Sequence, residues 1–287
     1  MSCDTPVLIL HGGAGRLEEG GFDLVDYRRS LDEIVRAGYD RLRKEGARAA
    51  VLHAICLMES DERFNAGRGA RLQRDGRARL SASLIDSLSG RFSGVVNVEN
   101  IEHPILLADL LSGEKHRVLA AEEAIAFARS RGVSYFDPIT PVRREEHRRR
   151  QASEYGTVGA VALDKTGTIC AGTSTGGTGF ESPGRVSDSA TVAGTYATEH
   201  VGISCTGIGE EIVDLAAAAR TAARVEEGHE VAAAVGKTIA EGRARENRFG
   251  MIALDRYGRA ATGETPGVRV TWARCDGEGP VLFPLDR

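Results

Sequence analysis

The stretch YGTVGAVALDKTGTICAGTSTGG, residues 155–177, limits the fold more than any other part of the chain. Residues 158–163 and 168–173 are short apolar runs joined by DKTG, where Asp supplies local hydrogen bonds and Gly the unusual dihedral of a hairpin turn. Gly and Thr flank the pair on both sides. Glycine permits backbone geometries closed to other residues, and Thr is a weak nucleophile unless a neighbour takes its proton. The pattern therefore reads either as a turn-rich hairpin or as a site built on one.

Elsewhere helical and strand patterns separate. Residues 7–10 read as a buried strand ending at His11, and Gly12, Gly13 and Gly15 predict a tight turn after it. Residues 27–42 place Leu31, Ile34, Val35 and Leu42 close to the 3.6 period, and a second helix is expected over 47–59. FNAGRG (64–69) is a glycine-bearing loop. The alternation ARLSASLI (78–85) predicts a strand, 95–98 another, and His103 with Pro104 opens a helix over 105–111, followed by a helix over 120–131. Beyond the hairpin come a strand at 201–205, helices from 211 to about 223 and over 229–241, and strands at 251–254, 260–262 and 268–273. Helices cluster in two places with hairpin-linked strands between and after them. An α+β fold, a four-layer αββα sandwich with two antiparallel sheets between helical layers, accommodates this order better than a parallel βαβ succession. Between 138 and 154 the chain changes character: ITPVRREEHRRRQASE is dense in charge and nearly empty of core residues, which reads as a solvated linker, a loop or exposed helix and not a nucleic-acid tail.

Composition narrows the function. The 287 residues suffice for one large core or two modest ones, and 37 Lys and Arg against 41 Asp and Glu give a charge of -4, so no pull toward nucleic acid or an anionic membrane follows. Cys3, Cys56, Cys170, Cys205 and Cys275 are scattered, with no CxxC pair and no His at metal-ligand spacing; free thiols and no side-chain metal site are expected. The N-terminal apolar run is too short to span a membrane and no basic segment precedes it, which predicts a cytoplasmic protein. Neither HGGAG nor GIGEE has GxGxxG or Walker spacing, so a phosphate site is not indicated. The polar residues that stand out are Thr157, Thr173, Ser174, Thr175, Arg185, Asp188 and Thr206. Arg185 and Asp188, three apart among small residues, read either as a surface ion pair or as a clamp for a ligand with both a carboxylate and an ammonium.

Seven motifs then fall in order along the chain: HGGAG (11–15), FNAGRG (64–69), GTVGAVALD (156–164), AGTSTGG (171–177), GRVSDS (184–189), AGTYA (193–197) and CTGIGE (205–210). In them the chain resembles the plant-type (type 2) L-asparaginase and isoaspartyl peptidase family of N-terminal nucleophile hydrolases. The resemblance implies an inactive precursor that cuts itself between Gly156 and Thr157. That would give an α subunit, 1–156, ending in the linker from about 138, and a β subunit, 157–287, both parts of one domain. The Thr hydroxyl attacks the preceding carbonyl, an N to O acyl shift makes an ester, and water releases a new amino terminus; Gly156 permits the strained approach. The freed α-amino group, with a pKa of about 7.7 to 8.0, then serves as base.

The same resemblance gives Thr175 the part of a second threonine tuning the nucleophile, and Thr206 with the Gly207 backbone that of the oxyanion hole. Asn65 reaches the nucleophile from the first subunit. Arg185 is expected to hold the α-carboxylate of an aspartyl group and Asp188 its α-ammonium, with Gly209 lending a backbone contact. His11 takes a structural place under the sheet. The family also implies an (αβ)2 assembly and a structural sodium ion on backbone carbonyls near Glu59 to Gly67, with no catalytic cofactor. The activity implied is hydrolysis of β-aspartyl dipeptides and L-asparagine through an acyl-enzyme on Thr157; the alternatives are a glycosylasparaginase, to which AGTSTGG and Phe180 are also similar, and a non-catalytic binding protein for aspartyl compounds. The chain departs from the family at Ser81, Ser87 and Ser187, and at Glu181, in the region of a common Lys. Glu181 reverses a local charge at the expected mouth of the site, which predicts a preference for basic leaving groups, small and sensitive to salt.

Overall fold

The computed structural model describes residues 5–15, 24–149 and 156–285; Cys3 and the end of the linker, 150–155, lie outside them. Among the described residues are twelve strands: β1 (Val7–Gly15), β2 (Leu80–Asp86), β3 (Ser93–Val98), β4 (Val118–Ala120), β5 (Val158–Leu163), β6 (Ile169–Thr175), β7 (Thr195–Ala197), β8 (Val201–Gly207), β9 (Phe249–Asp255), β10 (Ala260–Glu264), β11 (Arg269–Cys275) and β12 (Pro280–Leu282). The helices are α1 (Leu24–Glu45), α2 (Ala47–Ser60), α3 (Pro104–Leu111), α4 (Ala121–Ser130), α5 (Pro141–Arg148), α6 (Gly209–Leu215), α7 (Ala217–Glu226) and α8 (Val231–Ala244). One sheet runs β12-β11-β1-β5-β6-β2-β3-β4 and the other β10-β9-β8-β7. Every pairing is antiparallel except β3 with β4.

The two-residue period of the strands makes the layers. Along β1, Leu8 and Leu10 face α1 and α2, while Val7 and Ile9 face the second sheet. On β5, Val158, Ala160 and Ala162 join the helical side and Val161 and Leu163 the inter-sheet side. On β9, Ile252 and Leu254 meet them, and Phe249, Met251 and Ala253 turn to the layer of α6, α7 and α8. Three apolar slabs between four layers are the αββα sandwich expected. The central hairpin β5-β6 also forms as read: Asp164 Oδ1 accepts from Thr166 N at 2.9 Å and Thr168 N at 3.1 Å, and Gly167 takes φ 85°.

Three expectations need correction. The glycines after His11 do not turn the chain. β1 runs on to Gly15, with a bulge between His11 and Gly13, and Gly13 at φ 118° packs so closely on Thr157 that a Cβ would stand 3.3 Å from Thr157 N. The helix expected from 211 is two helices, broken at Ala216 in a left-handed conformation, because the first N–H groups of α7 dock on a loop: Ala218 N donates to Ala193 O at 2.8 Å and Ala219 N to Val192 O at 3.2 Å. The linker is not wholly solvated. Thr140 caps α5, Pro141 starts it, and Arg143 is 4% exposed, its Nε donating to Gly69 O at 2.7 Å and its Nη1 to Glu146 Oε2 at 2.8 Å. Carbonyls and a carboxylate replace the water that its charge would otherwise require.

Candidate active site

Thr157 stands just before β5, and its surroundings are made by neighbouring strands and by the 64–69 loop. β5 and β6 are paired, which brings Thr175 across from it: Thr157 Oγ1 lies 3.1 Å from Thr175 Oγ1 and 2.8 Å from Gly156 O. Thr175 Oγ1 in turn lies 3.2 Å from Gly156 O and accepts from Gly177 N at 3.1 Å. Asn65 completes this cluster from the 64–69 loop. Its Nδ2 donates to Gly156 O at 2.9 Å and Gly177 O at 2.5 Å, and its Oδ1 accepts from Arg71 N at 2.9 Å, so both ends of the amide are held. A side chain at position 156 would bring a Cβ within 2.6 Å of Asn65 Cβ, so glycine is what lets the carbonyl reach this grip.

The Gly13 bulge connects Thr157 to the third threonine. Thr206, at the end of β8, is fully buried and its Oγ1 accepts from Ala14 N at 3.1 Å, which leaves its own proton free to donate; Gly207 follows at φ 142°, with Arg248 O and Phe249 too close for any side chain. His11 lies beneath. Its Nε2 is 2.8 Å from Ser204 Oγ, which is 2.7 Å from Thr173 Oγ1, and Thr195 Oγ1 continues the chain to Ser189 O. Burial drives the His11 imidazole down to about 3, which leaves the ring neutral.

A second cluster forms around Gly209 at the start of α6. A Cβ there would stand 2.7 Å from Arg185 Nη2 and 2.9 Å from Asp188 Oδ1, so the missing side chain lets the pair converge. Asp188 is 3% exposed and its Oδ2 has no hydrogen-bond partner, the state of a carboxylate built to receive a donor from a ligand. Burial pushes its carboxyl up to about 7, against the pull of the Arg185 guanidinium. Because the unfolded value is 3.8, this group favours the folded state fully below pH 3.8 and loses that contribution as pH rises toward 7. Asp188→Asn should therefore raise the stability of the ligand-free protein at pH 8, by on the order of 2 to 4 kcal/mol, and flatten the dependence of Tm on pH between 4 and 7. A variant less stable than the parent at pH 8 would contradict the burial argument.

Several supporting residues have no local sequence signal. Glu210 takes the Arg185 fork with both oxygens, at 2.7 Å from Nε and 2.7 Å from Nη2, and so fixes the guanidinium. Glu59 is buried on α2. Ser174 Oγ donates to its Oε1 at 2.6 Å and Ile105 N at 3.2 Å, and His103 Nδ1 lies 3.2 Å from its Oε2. Cys56 brings a thiol to the same place, the ligand atoms of the three lying within 4.8 Å of one another, a grouping across two helices that the spacing of His and Cys did not suggest. The carboxylate is already occupied by three hydrogen-bond partners, which makes it a buttress for Ser174, next to Thr175.

This fold, with a threonine at the edge of the central hairpin and an Arg and Asp pair on the segment joining the two sheets, is that of the N-terminal nucleophile hydrolases. Within that class the chain belongs to the asparaginase family, whose model matches residues 4–153 and 139–279. It is 43% identical over 281 residues to an isoaspartyl peptidase/L-asparaginase of Synechocystis sp., covering 91% of this chain and 85% of that one. It is also 36% identical to an isoaspartyl peptidase of Salmonella typhimurium (89% and 90% covered) and 34% identical to a plant-type L-asparaginase of Pyrobaculum calidifontis (88% and 92%).

Proposed function

We propose that this chain is a self-processed threonine hydrolase that cleaves β-aspartyl dipeptides and L-asparagine. The observation that carries the reading is the Thr157 hydroxyl, 2.8 Å from the carbonyl oxygen of its own preceding residue, which Asn65 holds at 2.9 Å. The hydroxyl thus lies beside the carbonyl of an N to O acyl shift: Thr157 Oγ1 adds to the Gly156 carbonyl carbon, its proton passes to the amide nitrogen, which leaves as the new α-amine, and water hydrolyses the ester. In the mature enzyme the α-amine takes the Thr157 proton as Oγ1 attacks the side-chain carbonyl of the aspartyl group, and returns it to the departing amine. Thr206 and the Gly207 N–H donate to the oxyanion, a contact worth roughly 3 to 4 kcal/mol each in comparable sites. Thr175 orients the nucleophile. Arg185 and Asp188 fix the substrate α-carboxylate and α-ammonium, and the second substrate-derived charge supplies the partner that Asp188 Oδ2 lacks.

A structural sodium on backbone carbonyls near Glu59 to Gly67 belongs to the same reading, since oxygen ligands of this kind suit a hard cation. Such an ion would stiffen the loop that carries Asn65. Two cleaved protomers would pair as (αβ)2. A reducing, cytoplasmic setting agrees with the free thiols at Cys56, Cys170, Cys205 and Cys275, and no described helix is long and apolar enough to cross a membrane. The test is a panel of isoaspartyl dipeptides, L-asparagine and glycosylated asparagine offered to the matured protein. Hydrolysis of the first two is expected; turnover of glycosylated asparagine alone would make the chain a glycosylasparaginase, and an inert uncut chain would make it a binding protein.

A further inference from the structure

Helix α5 lies in the charged segment that leads to Gly156, and it is docked at both ends. Thr140 Oγ1 accepts from Arg143 N at 3.3 Å at its start, and near its end the His147 ring stacks on Phe180 with centroids 4.8 Å apart. Between these points Arg143 turns inward and is 4% exposed, whereas Arg144, Arg148 and Arg149 of the same run are exposed. Burying one guanidinium out of such a run is costly unless its donors are met, so its partners identify what the helix holds.

Two of those partners are the ends of the loop that carries Asn65. Arg143 Nε donates to Gly69 O at 2.7 Å and Nη2 to Glu62 O at 3.3 Å, while Glu146 Oε1 and Oε2 take Nη1 at 2.9 and 2.8 Å and fix the plane of the fork. The ends converge because Gly69 has no side chain: a Cβ there would strike Phe64 O and Glu62 O. On the other side Gly176 N donates to Asn65 O at 2.9 Å, so the loop is held between the end of β6 and α5. From that hold Asn65 Nδ2 reaches Gly156 O at 2.9 Å.

We propose that Arg143 is a positioning residue for self-cleavage: by closing the 62–69 loop it sets where Asn65 meets the Gly156 carbonyl, so a helix upstream of the cut acts on the bond that is cut. The inference rests on the self-processing reading. Arg143 acts through the loop and exchanges no proton. As Thr157 Oγ1 bonds to the Gly156 carbonyl carbon and its proton passes to the departing amide nitrogen, negative charge gathers on Gly156 O, where Asn65 Nδ2 donates. A misplacement of about 1 Å at such a donor can cost about 100-fold in rate. The hold also outlasts the cut, because α5 stays on the first subunit and the new carboxyl end at Gly156 lies beyond it. In the matured enzyme Asn65 Nδ2 still donates to Gly177 O, and Gly177 N to Thr175 Oγ1, the hydroxyl beside Thr157. A loosened loop should therefore lower kcat and leave KM for asparagine unchanged, since Arg185 and Asp188 hold the aspartyl head.

The experiment follows precursor cleavage in a cell-free translation chase of wild type, Arg143→Met, Arg143→Lys and Arg149→Met. Met fills the space without a donor, Lys keeps the charge but not the fork, and Arg149→Met removes the same charge from the exposed end of the run, where it pairs with Glu145. Arg143→Met should cleave slower by about tenfold or more, Arg143→Lys at an intermediate rate, and Arg149→Met at the wild-type rate. Matured Arg143→Lys should turn over asparagine with kcat lowered a few-fold and KM unchanged. Cleavage of Arg143→Met at the wild-type rate, equal slowing in Arg149→Met, or a KM in Arg143→Lys that rises while kcat holds, overturns the positioning role. Should Arg143→Met not fold, Arg143→Lys decides alone, and cleavage at the wild-type rate overturns it. A wild type that never cleaves overturns the self-processing reading and this inference together, whereas a wild type matched by its Arg143 variants overturns this inference only.

Discussion

Thr157→Ala should yield one uncut chain with no hydrolysis of asparagine or isoaspartyl dipeptides, a fall of about 10^4-fold or more in rate. The substitution removes the hydroxyl that touches both Gly156 O and Thr175 Oγ1, and with it the nucleophile of both reactions. Thr157→Ser keeps a hydroxyl on the same carbon and should retain slow cleavage. The pair of variants is informative because Thr157 is 6% exposed and makes its contacts at the end of a strand, so Ala fits the space without disturbing the core. An active Thr157→Ala protein, measured by ammonia release from asparagine, would remove Thr157 from the mechanism altogether.

Arg185→Ala should mature normally and yet lose kcat/KM on asparagine and on isoaspartyl dipeptides alike, since both present the same α-carboxylate. Removing one partner of a hydrogen-bonded charge pair in a desolvated site costs about 2 to 5 kcal/mol, roughly 30-fold to several thousandfold. The Arg185 side chain is 12% exposed, and its removal leaves the buried Asp188 without its nearby cation, which adds to the loss. Processing should survive because no hydrogen bond links Arg185 to Gly156 or Thr157. Wild-type kcat/KM on both substrates would show that Arg185 does not hold the carboxylate, and failure to mature would place it in the cleavage step instead.

Those features of the fold that depend on local chemistry were legible in the chain. The DKTG turn forms because Asp164 and Gly167 need only their immediate neighbours, and the layers follow from alternation that any reader of β5 or β9 meets directly. Features that depend on distant partners were not. The HGGAG glycines look like a turn, and only the approach of Thr157 across the sheet shows that they serve a bulge in a strand. Arg143 belongs to a run of charge that reads as solvated, and its burial is decided by the Gly69 carbonyl, 74 residues away. Glu59 meets Ser174 across 115 residues and Glu210 meets Arg185 across 25, pairings with no spacing rule behind them. The threonines and the Arg and Asp clamp were named through motif resemblance, and bare spacing left Arg185 and Asp188 open as a surface pair. Burial of Asp188 with an unpartnered Oδ2 is what favours the clamp. For Glu181 the sequence suggested a carboxylate exposed at the mouth of the site, whereas both of its oxygens are buried.

The claim on which the rest depends is that Thr157 becomes an amino terminus. Intact mass and N-terminal sequencing of the purified wild-type protein, followed over time alongside asparagine turnover, address it directly. The account predicts two fragments, the second beginning Thr157-Val158-Gly159-Ala160-Val161, with activity rising in proportion to its appearance. Cleavage at another bond, or full activity in a chain that stays whole, would contradict it.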